Sequence, residues 1–122
     1  MLHEELTEQI IACETEVHRQ LGPGLFESSY QAATAIELEY AGLSFVREPS
    51  YPVFYRGIQI GCHRPDFIVE NLVVVEIKSV ENYNPVFAAQ VLTYLRLTKL
   101  HVGLLFNFNR PVLKDGIKRF AL

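Results

Sequence analysis

The chain has 122 residues, 49% of them hydrophobic and 20% charged. That balance excludes general disorder and leads us to expect one globular domain over residues 1–122, large enough to bury a core without a disulfide or structural metal. The net charge of −3 is awkward for a protein that grips nucleic acid, because non-specific affinity comes mainly from phosphate neutralisation by Lys and Arg.

No apolar run approaches the roughly 20 residues of a membrane span, so no membrane partner is expected. The acidic start, Met1 to Glu5, lacks the basic and apolar regions of a signal peptide. A cytoplasmic location is therefore expected, with Cys13 and Cys62 as reduced thiols.

In chain order, the first 20 residues read as an amphipathic helix with Leu6, Ile10, Cys13 and Val17 on one stripe. Leu21-Gly22-Pro23-Gly24 breaks it. A second helix is expected from about Leu25 to Ala41, with Phe26, Ser29, Tyr30, Ala33, Ile36 and Tyr40 along its apolar stripe and Gly42 as its stop. Phe45 to Val69 is strand territory, with a two-residue hairpin turn at Arg56-Gly57 and a bulge at Gly61. Val73 to Lys78 adds a further strand, giving three or four antiparallel strands. Asn84-Pro85 supplies a cap and a first-turn proline for a third helix reaching about Thr98. Val102 to Phe106 is a buried strand by its continuous apolar character. The tail from Val112 is ambiguous. The order is α-α-β-β-β-α-β, a mixed sheet with helices packed against it.

The chemistry concentrates around Asp66, Glu76 and Lys78. If Glu70-Asn71-Leu72 is a three-residue loop, Val69 opposes Val73 and Asp66 opposes Glu76 on one sheet face. Lys78, two residues beyond Glu76, shares that face. Two carboxylates suit a hard cation such as Mg²⁺, which is usually held by one or two carboxylates plus waters and substrate phosphate. The ammonium could hold a phosphate oxygen or steady an attacking hydroxide. The competing account is an ion pair of Asp66 or Glu76 with Lys78 or Arg64 on a partly exposed sheet.

Glu27, Tyr30 and Thr34 lie along one edge of the second helix, and Glu27 is either a third acidic group for this site or an ordinary first-turn glutamate. Gln90 and Tyr94 form an i,i+4 pair on the third helix. His18 reads as a helix-end histidine near carbonyls. The histidines and cysteines have no zinc-like spacing. Arg96, Lys99, Arg110, Lys114, Lys118 and Arg119 are either a phosphate-facing patch or a solvated surface.

Together these residues resemble a known family. Gly24-Leu25-Phe26-Glu27-Ser28-Ser29-Tyr30 reads as G-x-x-E-x-x-Y, and the chain looks like a GxxExxY protein of the PD-(D/E)xK nuclease superfamily. Pro65-Asp66 and Glu76-Ile77-Lys78 match the superfamily's core motif, and Gln90 to Tyr94 matches the Gln-x-x-x-Tyr of its RecB-like branch. The resemblance implies a restriction-endonuclease-like αβββαβ core of the α/β (α+β) class. It implies metal binding by Asp66 and Glu76 with Glu27, Mg²⁺ or Mn²⁺ as cofactor, and Lys78 assisting the attacking water. Gln90, Tyr94 and Tyr30 would support the site or touch substrate.

Two functions follow as expectations. The first is a metal-dependent phosphodiesterase that hydrolyses DNA or RNA with a metal-activated water. The second is a non-catalytic nucleic-acid-binding or protein-interaction module on the same fold. The low basic content suggests weak binding of nucleic acid by the chain alone, with a homodimer or protein partner adding affinity.

Overall fold

A computed structural model describes residues 1–122. In chain order it contains α1 (Glu4–Leu21), α2 (Glu27–Tyr40), β1 (Phe45–Arg47), β2 (Tyr51–Tyr55) and β3 (Ile58–His63). There follow β4 (Phe67–Val69), β5 (Val73–Lys78), α3 (Val86–Thr98), β6 (Val102–Asn107), a turn of 3₁₀ helix (Leu113–Gly116) and β7 (Ile117–Ala121). Five strands form a mixed sheet in the order β1-β4-β5-β6-β7. Only β5 and β6 run parallel, and α3 is the crossover that a parallel pair requires. This is the α+β, restriction-endonuclease-like arrangement expected from the sequence.

The side-chain period of two divides the sheet into two packed faces. Phe67, Val69, Val73, Val75 and Ile77 point to one, where they meet Ile10, Cys13 and Val17 of α1 and Tyr30 and Leu38 of α2. Ile68 and Val74 point to the other and meet Tyr94 and Leu95 of α3. Close approach of α3 depends on Gly103 of β6, where an added Cβ would stand 2.7 Å from Val91 Cγ1. Asn84 starts α3 as expected: its side-chain oxygen accepts the Val86 N–H at 2.9 Å, with Pro85 already in the helical conformation.

Two expectations need correcting. The β2–β3 hairpin leaves the main sheet and forms a two-stranded sheet of its own. Glu48 has φ of 51°, Pro49 follows it, and Pro52 lacks the N–H that an interior strand position would use. Every residue of β3 is exposed, so no core face holds the hairpin down. Its turn is as expected: Tyr55 pairs with Ile58, and Arg56 and Gly57 both have positive φ, the conformation of a type I′ turn. The irregularity falls where Val53 faces Gly61 and Phe54 faces Gln59, which makes Ile60 the extra residue beside the glycine.

The second correction is the inward face of α2. Tyr30, Gln31, Thr34 and Leu38 are buried, whereas Phe26 and Tyr40 are 84% and 85% exposed and Ile36 also faces out. Tyr30 and Leu38 join the core on this face, and Thr34 and Gln31 each find a polar partner there. The tail, which its sequence leaves ambiguous, becomes the edge strand β7, antiparallel to β6.

Candidate nuclease site

The β4–β5 connection has the register expected from its sequence. Val69 pairs with Val73, Ile68 with Val74 and Phe67 with Val75. Glu70 and Asn71 both take positive φ, and the Leu72 N–H closes the loop on the Val69 carbonyl at 3.0 Å. Asp66 lies one residue before β4, opposite Glu76. The two acids are tied reciprocally: the Asp66 N–H donates to Glu76 Oε1 at 2.9 Å, and the Ile77 N–H donates to Asp66 Oδ2 at 2.7 Å. The Asp66 carboxylate thus takes over the ladder bonding where β4 has not yet begun.

Lys78 follows on the same face. Its Nζ stands 3.5 Å from Glu76 Oε2, donates to Gln90 Oε1 at 2.9 Å, and lies 4.7 Å above the Phe87 ring. Gln90 is fixed in turn, donating to the Tyr94 hydroxyl at 3.1 Å. The backbone behind Lys78 is pinned as well. Its carbonyl accepts the Phe108 N–H, and the buried Asn107 side chain bonds both the N–H and the C=O of Val80. A lysine held at both ends of its side chain presents its charge with little rotamer freedom left to lose.

At the end of the sheet Asp66 is also within reach of α2. Gln31 Nε2 donates to Asp66 Oδ1 at 2.7 Å, and Arg47 Nε donates to Gln31 Oε1 at 2.8 Å. Glu27 sits one turn before Gln31 on the same helix face, so their Cβ atoms are about 5–6 Å apart. Glu27 is exposed, and no three acidic, histidine or cysteine side chains converge as a ready cluster.

Tyr30 lies elsewhere. It is buried, stacked on Phe108 at 4.4 Å, and its hydroxyl donates to the Gly22 carbonyl at 2.5 Å while accepting the Leu25 N–H at 3.1 Å. It clasps the Gly22–Leu25 turn from below. Ser79, next to Lys78, donates to the Leu25 carbonyl at 2.6 Å and so anchors that turn at the end of β5. His18 sits against the Arg110 carbonyl at 2.7 Å, close to a carbonyl as its helix-end position suggests.

A family model for the PD-(D/E)XK nuclease superfamily matches residues 4–120. The chain belongs to that superfamily. Neither curated proteins nor solved structures gave a match. Membership implies a nuclease-type function and a nucleic-acid substrate, and PD-(D/E)XK nucleases are generally dependent on divalent metal. No helix of this chain is long and apolar enough to cross a membrane.

The donor set fits such an ion. Burial, then the neighbouring Asp66 carboxylate, pushes Glu76 up to about 8, although the Asp66 N–H and Lys78 pull the other way. Two carboxylates crowded into a shielded site are what a hard cation relieves. Each oxygen engaged so far has a second lone pair free for an ion. Tyr94 is pushed up to about 12 by burial and by the Glu76 and Asp66 charges, so it remains a neutral donor beside them.

Two polar residues of this chain escaped the sequence reading. Gln31 follows Tyr30 directly and lies outside the apolar stripe assumed for α2. Glu14 is a fully buried carboxyl on α1, where its Oε1 accepts the Thr34 hydroxyl at 2.5 Å and its Oε2 has no partner. Burial pushes it up to about 8, and the charges of Asp66 and Glu37 add to the shift. The signal was available: Glu14 is four residues after Ile10 and three before Val17, squarely within the apolar stripe of α1.

Proposed function

We propose that this chain is a divalent-metal-dependent phosphodiesterase that cuts DNA or RNA. The observation that carries the reading is the hold on Lys78: Gln90 and Glu76 aim one ammonium at the place where two carboxylates meet. Asp66 and Glu76 would hold Mg²⁺ or Mn²⁺, with Glu27 reaching in from the first turn of α2. When bound, the ion supplies charge against the phosphate and activates the attacking water. Lys78 contributes a fixed positive charge for the extra negative charge that develops at phosphorus. Gln90 and Tyr94 position that lysine, and Tyr30 supports the turn from which Glu27 starts.

The same residues support a place in the GxxExxY branch. Gly24 has φ of 102°, a conformation that L side chains rarely adopt. Glu27 starts α2 one turn from the residue bonded to Asp66, and Tyr30 closes the turn.

Purified protein incubated with single- and double-stranded DNA and RNA tests the proposal. Cleavage is expected with Mg²⁺ or Mn²⁺, none with chelator, and little with Lys78→Ala. If no substrate is cut, yet wild type and Lys78→Ala bind nucleic acid or a protein partner equally well, the chain is a binding module.

A further inference from the structure

We propose that the cleft beside Lys78 seats one unpaired nucleotide of a single-stranded nucleic acid, adjacent to the bond that is cut; this rests on the nuclease reading. The cleft has a volume of about 410 Å³. It opens between His63, at the foot of the β2–β3 hairpin, and the first two turns of α3, with Lys78 lining it as well. It is therefore continuous with the Asp66–Glu76–Lys78 site. That volume falls within the range of small-molecule sites, about 300–1,000 Å³.

Its chemistry is that of a nucleotide. Val86 and Phe87 offer apolar surface to the faces of a base, and the His63 ring and Thr93 hydroxyl offer donors and acceptors to its edge. From Lys78 and Phe87 outward, cations and aromatic rings alternate beyond the cleft. Lys78 Nζ lies over Phe87, the edge of Tyr83 meets Phe87 with centroids 5.7 Å apart, and Lys118 Nζ lies 4.5 Å above Tyr83. Lys118 shares the sheet face of Glu76, since both pair with Leu105.

The net charge conceals which side a polyanion would approach. Residues 1–43 carry eight Asp or Glu and one Arg, whereas residues 44–122 carry six Asp or Glu and ten Lys or Arg. The acidic segment forms α1 and α2, on the opposite face of the sheet from α3. Arg47 and Arg119 bond Gln31 and Thr7 on the α1–α2 side, whereas Lys78 and Lys118 lie on the α3 face, the one a polyanion can approach.

Two considerations favour an unpaired nucleotide. A base seated between a hairpin and a helix must have left the duplex stack, which a single strand allows without opening a helix. Duplex affinity also leans on many phosphate contacts, while single-strand affinity draws on stacking that few cations need support.

The test is fluorescence anisotropy on the full chain in chelator, so that binding is read without cleavage. Labelled single-stranded DNA and RNA oligonucleotides are compared with the blunt duplex of the same sequence. Single strands are expected to bind about tenfold tighter. Ala89→Trp fills the cleft from an exposed position on α3 and should remove that preference, with duplex affinity unchanged. His63→Ala serves as a second variant, with a severalfold loss for single strands, and circular dichroism verifies that each is folded. Duplex bound as tightly as single strand overturns the proposal. So do folded variants that bind single strands like wild type. Metal-dependent cleavage without the preference removes the cleft and leaves the nuclease; the preference without cleavage under any metal does the reverse.

Discussion

Glu76 and Glu14 are both buried carboxyls pushed up to about 8, and their surroundings differ in every other respect. Glu76 lies at the end of the sheet with a backbone N–H on one oxygen, an ammonium 3.5 Å from the other, and a second carboxylate opposite. Glu14 lies between α1 and α2 with one threonine hydroxyl and an orphaned oxygen. Shielding alone therefore does not identify a reactive carboxyl. Both feel the charge of Asp66, and what separates them is the ammonium of Lys78 beside Glu76 and the backbone bond that ties Glu76 to Asp66.

The largest effects that would break this contrast are on turnover. Lys78→Ala should lower the rate of cleavage by about 10²–10³-fold, the usual loss when one preorganised charge is removed from a developing anion. It should leave intact the rise in melting temperature expected on adding Mg²⁺ or Mn²⁺. Asp66→Ala should abolish both cleavage and the rise, and Glu76→Gln likewise. A Lys78→Ala enzyme with wild-type turnover would reduce the Lys78–Glu76 contact to an ordinary ion pair.

Stability against pH sharpens the contrast next. In chelator, a carboxyl with a pKa of 4.5 when unfolded and about 8 when folded binds more protons in the folded state between those values. The unfolding free energy therefore falls as pH rises through that window, and the contribution present below 4.5 is gone above 8. Glu14→Gln should remove its share, stabilising the protein at pH 8 by a few kcal/mol relative to wild type. Saturating Mg²⁺ should instead remove the share of Glu76 and leave most of that of Glu14, which burial sets first. Urea melts from pH 5 to 9, with and without metal, separate the two. An unchanged slope in Glu14→Gln would mean that Glu14 stays ionised.

Gln90→Leu probes how the cation is held. Losing the acceptor of a charged donor and the donor to Tyr94 should reduce turnover by about five- to tenfold, with metal affinity unchanged. A loss as large as that of Lys78→Ala would give Gln90 a direct part in the chemistry.

Much of this was legible in the sequence, for a physical reason. The β4–β5 register follows from loop length and the strand period, both local, and so do the Asn84 cap and the Arg56-Gly57 turn. What was not legible depended on tertiary partners. The inward face of α2 follows from tertiary contacts: Tyr30 and Leu38 join the core while Gln31 and Thr34 meet Asp66 and Glu14, two residues distant in sequence. The departure of the β2–β3 hairpin from the sheet was signalled only by Pro49 and Pro52, which a reading of apolar alternation passes over. Tyr30 was singled out for its place beside Glu27, and only the structure shows that its hydroxyl serves the Gly22–Leu25 turn.

Glu27 gives the smallest effect and the finest test, because it is a third carboxylate that shares neither the burial of Glu14 nor the fixed partners of Glu76. It stands one turn before Gln31, whose amide is already bonded to Asp66, so a flexible side chain could reach an ion held by Asp66 and Glu76. An exposed carboxylate loses side-chain entropy on ordering and is screened by solvent, which limits its contribution to about 1 kcal/mol or less. Glu27→Gln should therefore weaken Mn²⁺ binding by about two- to fivefold in calorimetry and leave metal-free stability unchanged. Glu39→Gln, equally exposed but at the far end of α2, removes the same charge without the reach. If the two variants weaken the ion equally, Glu27 acts only through the general field of the acidic helices, and the site is completed by Asp66, Glu76 and substrate alone.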